Sequence, residues 1–315
     1  MFVISKVICA GKYLFPYFPV SLSGNNRSVK AVSAVSEKTL APRPVTSLSK
    51  VDGSNSFYKR ILEKCDLRNR LRDYLLFSPS KKEYPSLKQK TVVREDVFIK
   101  TQDGEKLHGY FLPAEQDTKK TVIYFHGNDL NVSRWYLAPL AIQKHVPVNV
   151  LIIDYRGYGK STGKPTFQGI VLDALAMYNY LIEKGFKSED ISLYGRSMGG
   201  AVALELASRA KVKSVVVQSS ITDFRDLARL HYRWIPSFLI KNNLFNLRNL
   251  IKKIDVPLLI SHGGIDKAAP VSFAYELYSL ANKPKKLIIF PGAGHSSISN
   301  HFTKEYFQAL NDLFL

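Results

Sequence analysis

Cysteine is nearly absent from this chain: Cys9 and Cys65 are the only two in 315 residues. Two isolated cysteines make no CxxC motif, no zinc spacing and no multi-bridge framework. A reducing compartment is the plain expectation. Long apolar runs are missing as well. No stretch reaches the roughly 18 uncharged apolar residues of a spanning helix; the nearest, Met1 to Val20, is broken by Lys6, Lys12, Pro16 and Pro19. Lys6 also splits the apolar centre that a secretory leader needs, and Lys6-Val7-Ile8 before Cys9 does not suit a lipoprotein signal. Acidic residues are scarce, 26 against 45 basic, which leaves a net charge of +19. Such a surplus favours anionic partners and says nothing about fold. Core-forming residues are not lacking. Hydrophobic residues make up 45% and charged residues 23%, values of a globular chain that exclude wholesale disorder. The length suits a single large α/β layer structure.

Residues 1–50 hold seven basic residues, eight serines and one acid, Glu37. That composition suits a transit segment, a basic arm touching an anionic membrane, or a solvated tail. Residues 1–56 therefore read as a basic tail and linker, poor in periodicity. Within 57–90, the stretch FYKRILEKCDLRNRLRDYLLF places Ile61, Leu62, Leu67, Leu71 and Leu75 or Leu76 on one side of a basic helix. Such a helix lies on a membrane or packs on a core. The expected location is cytoplasmic or peripheral to a membrane, with residues 1–50 suited to organelle targeting.

At about Thr91 the pattern changes. VVREDVFIKTQDGEKLHGYFL alternates around Asp103-Gly104 and reads as a hairpin. Short apolar runs follow, TVIYFHG, VNVLIIDY, ISLYG, VKSVVVQSS, VPLLISHG and KLIIFPG, separated by helical stretches such as FQGIVLDALAMYNYLIEKG. Continuous apolar strands between helices mean a mostly parallel sheet covered on both faces. In such sheets chemistry lies beyond the carboxyl ends of the strands.

After ISLY stands Gly195-Arg196-Ser197-Met198-Gly199-Gly200, then a helix. This G-x-S-x-G lies between strand and helix, where a turn too tight for side chains lifts a serine hydroxyl above the sheet. The helix N-terminus aims its amides at a developing anion. A serine needs a base and an orienting acid. His295 follows KLIIFPGAG and Asp266 follows VPLLISHGG, giving the chain order Ser197, Asp266, His295. His262 stays open as an alternative base and Asp223 as an alternative acid. Asp154 reads as a structural carboxylate with Arg156 as its local partner, and His126 as a ring packed under its loop. The expected oxyanion donors are the Met198 and Asn128 amides, with Gly127 allowing close approach. Gly157-Tyr158-Gly159-Lys160-Ser161-Thr162 imitates a phosphate loop, but Asp154 stands where the first glycine is required. No metal or organic cofactor is expected.

From about Val92 to the C-terminus the chain resembles the α/β-hydrolase superfamily. YFHGN, DYRGYGKSTGKPT, LYGRSMGGAVA, HGGIDKAAP and FPGAGH are similar to its serine-hydrolase branch related to depalmitoylating thioesterases and serine aminopeptidase-like lipases. The resemblance implies an α/β-hydrolase fold: an eight-stranded, mostly parallel sheet with an antiparallel second strand, helices on both faces and a short helical cap. It implies Ser197 as nucleophile, Asp266 as acid and His295 as base. Lys267-Ala268-Ala269-Pro270 after the aspartate departs from the family's usual polar, β-branched pattern, and the first ninety residues fall outside the resemblance.

The hydrolase domain is thus expected over 91–315, with a cap over 221–255. The cap segment has seven basic residues against three acidic ones, and its aromatics Tyr232, Trp234 and Phe238 are the expected contacts of an acyl chain. The expected activity is hydrolysis of a small-molecule or lipid ester or thioester through an acyl-enzyme. A peptidase of the same fold and a membrane-recruited, non-catalytic module are the alternatives. Nucleic acid is not an expected partner, because no nucleic-acid fold accompanies the aromatic and basic residues.

Overall fold

The computed structural model describes residues 73–85, 93–232 and 246–315. Residues 1–72, including most of the basic helical stretch, and Trp234 and Phe238 of the cap lie outside the described residues.

The alternating segment forms β1 (Glu95–Lys100) and β2 (Lys106–Leu112), antiparallel, with Glu95 opposite Phe111 and Lys100 opposite Lys106. The apolar runs become β3 (Thr121–Phe125), β4 (Asn149–Ile153), β5 (Ile191–Arg196), β6 (Ser214–Gln218), β7 (Leu258–Gly263) and β8 (Lys285–Phe290). One eight-stranded sheet results, in the order β1-β2-β4-β3-β5-β6-β7-β8. β2 runs antiparallel to both neighbours, and every later pairing is parallel.

The inner strands β3 to β7 are buried at every position because both faces are covered. Ile123 and Phe125, Leu151 and Ile153, Leu193, Val215 and Val217 pack on one face against α3 (Phe167–Glu183), α4 (Met198–Ala207), α6 (Leu247–Ile251) and α7 (Ser272–Leu280). Val122 and Tyr124, Val150 and Ile152, Tyr194 and Val216 pack on the other against α1 (Val132–Trp135), α2 (Leu137–Gln143) and α8 (Lys304–Phe314). Each fully buried aliphatic side chain contributes about 1.5–3 kcal/mol. Helix starts follow their caps. Thr166 accepts the Gly169 amide ahead of α3, Thr303 accepts the Tyr306 amide ahead of α8, and Asp223 accepts the Arg225 amide ahead of α5 (Phe224–His231). Among the described residues no helix is long and apolar enough to cross a membrane.

The loop after β4 corrects the pairing expected for Arg156. Its guanidinium does not hold Asp154. It donates to both carboxylate oxygens of Asp103 in the β1–β2 turn, at 2.6 and 3.0 Å, and to Asp173 of α3 at 2.9 Å. The Arg156 amide also donates to Asp173, at 2.8 Å. Two residues along a tight turn, the side chains of Asp154 and Arg156 diverge, so sequence proximity misleads. Arg156 instead ties the hairpin, the β4 loop and α3 together.

Asp154 is buried under the loop that follows β3. One of its oxygens accepts the Val132 amide at 2.6 Å and lies 3.7 Å from His126 Nε2; the other has no hydrogen-bond partner. His126 donates from Nδ1 to the Gly127 carbonyl at 2.7 Å. Burial pushes the Asp154 carboxyl up to about 8, against the Val132 hydrogen bond and the charge of Lys81. Burial likewise lowers His126 to about 4, so the ring is neutral at pH 7. A carboxyl that holds its proton more tightly when folded supplies stability in full below its ordinary value of 3.8. That contribution is lost as pH rises through about 8. Asp154→Asn keeps the acceptor for Val132 and cannot ionise. Relative to the unchanged chain, the variant should gain stability steadily from pH 5 to 8 and level off above that in urea unfolding. A pH-independent difference would contradict the assignment.

Candidate active site

Four loops that leave the carboxyl edge of the sheet matter here: those after the neighbouring strands β3 and β5 and, across β6, those after the neighbouring strands β7 and β8. The turn from β5 into α4 is the tightest. Ser197 sits there at φ 55°, ψ −121°, in a region L-residues seldom occupy. A Cβ on Gly195 would lie 2.2 Å from the Gly199 carbonyl oxygen, and one on Gly199 would lie 2.1 Å from that of Phe125. No side chain fits at either position, which is the physical content of the G-x-S-x-G spacing. The Gln218 carbonyl accepts the Ser197 amide at 2.8 Å, and Ser220 Oγ donates to the Ser197 carbonyl at 2.8 Å.

The β7 loop carries Asp266. One of its oxygens accepts the Ala268 and Ala269 amides at 2.9 and 2.8 Å. The other lies 2.7 Å from His295 Nδ1 and 3.5 Å from His262 Nε2. Burial works against the charge, yet the nearby His262 ring and hydrogen bonds from His295 and the Ala269 amide hold the carboxyl well below the usual carboxylate range. The β7 and β8 loops are laced together by the Gly264 amide on Phe290 and the Ile265 amide on Ala293. That lacing places His295 between acid and serine, its Nε2 3.1 Å from Ser197 Oγ. An ionised Asp266 accepts the Nδ1 hydrogen, which leaves Nε2 as the acceptor for the serine hydroxyl. Such an arrangement can withdraw a proton from Oγ and return it elsewhere.

The remaining sequence candidates take other positions. His262 is buried and donates from Nε2 to the Ala269 carbonyl at 2.8 Å, bracing the Asp266 loop. Asp223 caps α5. His126 stacks among Trp135, Tyr155 and Tyr158, with ring centroids 4.3 Å from Tyr155. Met198 opens α4, where first-turn amides have no intrahelical acceptor. Gly127 lies beside the serine, since a Cβ placed on it would be 3.8 Å from that of Ser197. Asn128 follows on the same loop. Tyr232 is buried in the core and its hydroxyl donates to the Leu75 carbonyl at 3.3 Å. Among the described residues no cluster of His, Cys, Asp or Glu could hold a metal ion.

Arg196, the variable position of the elbow, carries more than its place in the pattern suggests. Its guanidinium is buried, donates to the His295 carbonyl at 3.1 Å and lies 5.2 Å over the Trp135 ring. Trp135 in turn donates from Nε1 to the Asp129 carbonyl at 2.8 Å. The chain His295–Arg196–Trp135–Asp129 joins the β8 and β3 loops. A long cation next to the serine was the signal available in the sequence.

Known proteins share this frame. Residues 120–247 match the family profile described as the alpha/beta hydrolase fold. An uncharacterized protein of Mycobacterium tuberculosis is 31% identical over 225 residues, 70% of this chain and 79% of its own. The bem46 protein of Schizosaccharomyces pombe is 27% identical over 242 residues, 74% of this chain and 80% of its own. Among solved structures, an esterase of Pyrococcus furiosus superposes with a TM-score of 0.60 at 27% identity, covering 75% of this chain and 97% of the esterase. Acetyl xylan esterase 1 of a Thermoanaerobacterium species shares the fold with a TM-score of 0.57 at 19% identity, over 78% of this chain and 91% of its own. Profile, relatives, strand order and elbow agree, and the chain belongs to the α/β-hydrolase family.

Proposed function

We propose that this member of the α/β-hydrolase family is a serine hydrolase that cleaves a carboxylic ester or thioester of an acyl chain by two-step acyl transfer. The observation that carries the reading is the continuous hydrogen-bonded line from Asp266 Oδ2 through His295 to Ser197 Oγ, with steps of 2.7 and 3.1 Å. In the first step His295 Nε2 takes the Ser197 proton as Oγ bonds to the substrate carbonyl carbon. The carbonyl oxygen becomes an anion facing the Met198 and Asn128 amides. Collapse breaks the bond to the alcohol or thiol, which leaves with the proton from His295. In the second step water gives its proton to His295 and attacks the acyl-serine; the proton returns to Oγ and the acid departs. Asp266, held ionised, fixes the imidazole tautomer and offsets the charge His295 acquires. The esterases of Pyrococcus and Thermoanaerobacterium support ester chemistry by analogy of fold. Trp234 and Phe238 are the proposed contacts of the acyl chain, and an anionic membrane surface is the proposed partner of the basic N-terminal region.

Ser197→Ala should lower kcat on p-nitrophenyl esters by about 10³-fold or more. Asp266→Asn should cost on the order of 10⁴-fold through the wrong tautomer. His295→Ala should also prevent fluorophosphonate labelling; full labelling of that variant would point to another base. A second experiment sets the substrate class. Turnover across acyl esters and thioesters of increasing length should exceed that of aminoacyl amides, with Trp234→Ala and Phe238→Ala raising KM for the long chains. Preferential cleavage of the amides would overturn the ester reading in favour of a peptidase.

A further inference from the structure

The residues just ahead of the hydrolase domain grip one loop of the site. Leu75, Leu76 and Phe77 are buried in the core cluster that covers one face of the sheet. Beyond them the main chain makes a run of polar contacts, mostly with the loop after β3. The Leu76 carbonyl accepts Asn128 Nδ2 at 3.0 Å, and the Ser78 amide donates back to the Asn128 carbonyl at 3.0 Å. The Ser80 and Lys82 carbonyls accept Asn131 Nδ2 at 2.9 and 2.7 Å. The Tyr84 amide donates to Ser133 Oγ at 3.0 Å. Tyr158 Oη completes the hold on Asn128, donating to its carbonyl at 2.7 Å.

We infer that residues 76–84 are a positioning strap for the oxyanion loop, with Asn128 as the node through which it acts. This rests on the serine-hydrolase reading above. The loop is not self-supporting, since Leu130 stands at φ 59°. A non-glycine residue there costs about 1–3 kcal/mol and persists only where its surroundings over-determine it. The strap supplies that determination. Clamping Asn128 by both side chain and carbonyl fixes the residue and restricts how far its own amide can turn from the anion. An oxyanion donor works only when aimed before the charge develops, and a misplacement of about 1 Å costs on the order of 10²-fold. Plain stabilisation would need only the apolar contacts of residues 75–77. The polar contacts, by contrast, fall mostly on the loop that carries the donor and the helix start that follows it. The Gly159 amide on the Ser80 carbonyl and Lys81 Nζ on the Ser161 carbonyl reach the loop after β4. The active site is thus completed by chain that precedes the first strand.

The test uses the full-length chain with two variants made from opposite sides. Asn128→Leu removes the side-chain tether, and Ser78→Pro removes the strap's own donor to the Asn128 carbonyl, leaving only Tyr158 there. Active sites are counted by fluorophosphonate titration, and kcat is expressed per titrated site on a p-nitrophenyl ester. Each variant should lower kcat about 10-fold or more with KM changed less than about threefold, and the double variant should be little worse than the poorer single one. A kcat per titrated site within twofold of the parent, in either variant, overturns the strap and leaves residues 76–84 as packing alone. Should Asn128→Leu not fold, Ser78→Pro decides the question by itself. Failure of the hydrolase reading looks different: the parent chain would then neither label nor turn over.

Discussion

The crossing of β5 into α4 is the constraint on which the site depends. Strand and helix approach so closely that Gly195 and Gly199 have no room for a Cβ, and Ser197 takes a left-handed φ between them. That conformation costs about 1–3 kcal/mol, which the eight-stranded sheet and its two covered faces easily sustain. What it achieves is direction. The hydroxyl stands at the N-terminus of α4. Among the described residues the other non-glycine residues with left-handed φ are Leu130 and Ser219, which also follow strand ends at this edge. Strain is concentrated where groups must be aimed.

Around that turn, buried charge is arranged so that each group is held by several others. Asp266 keeps its charge against burial because two histidines and two amides face it. Arg196 is held by the His295 carbonyl and the Trp135 ring. Asp154 and His126 show the opposite balance: each has a buried atom with no hydrogen-bond partner, and burial drives both toward their neutral forms. One edge of one sheet thus holds an ionised carboxylate and a carboxyl pushed toward neutrality, and partners rather than residue type make the difference.

Much of this was legible in the residues. The hairpin, the apolar runs and the glycine-flanked serine follow from periodicity and from small residues at a crowded turn, because those signals are local. Asp266 and His295 were reachable because the loop after each parallel strand opens at the same edge. Arg156 shows where reading by proximity fails. Asp154 is two residues away, but Asp103 and Asp173, far along the chain, are the ones the fold delivers to its guanidinium. The strap had no signature at all, since its contacts are main-chain amides and carbonyls that any sequence carries.

By itself, the sequence determined which residues have the chemistry: a serine that only a strand–helix elbow suits, an acid and a histidine at later strand ends, and an excess of base over acid. Tertiary structure decided the distances that make chemistry of them. It set His295 between Asp266 and Ser197, at 2.7 and 3.1 Å, while Asp223 caps a helix and His262 braces the Asp266 loop. It also brought residues 76–84 against Asn128. Residue type is a local property, whereas hydrogen bonding and charge stabilisation depend on separations that only the packed sheet and its covering helices impose.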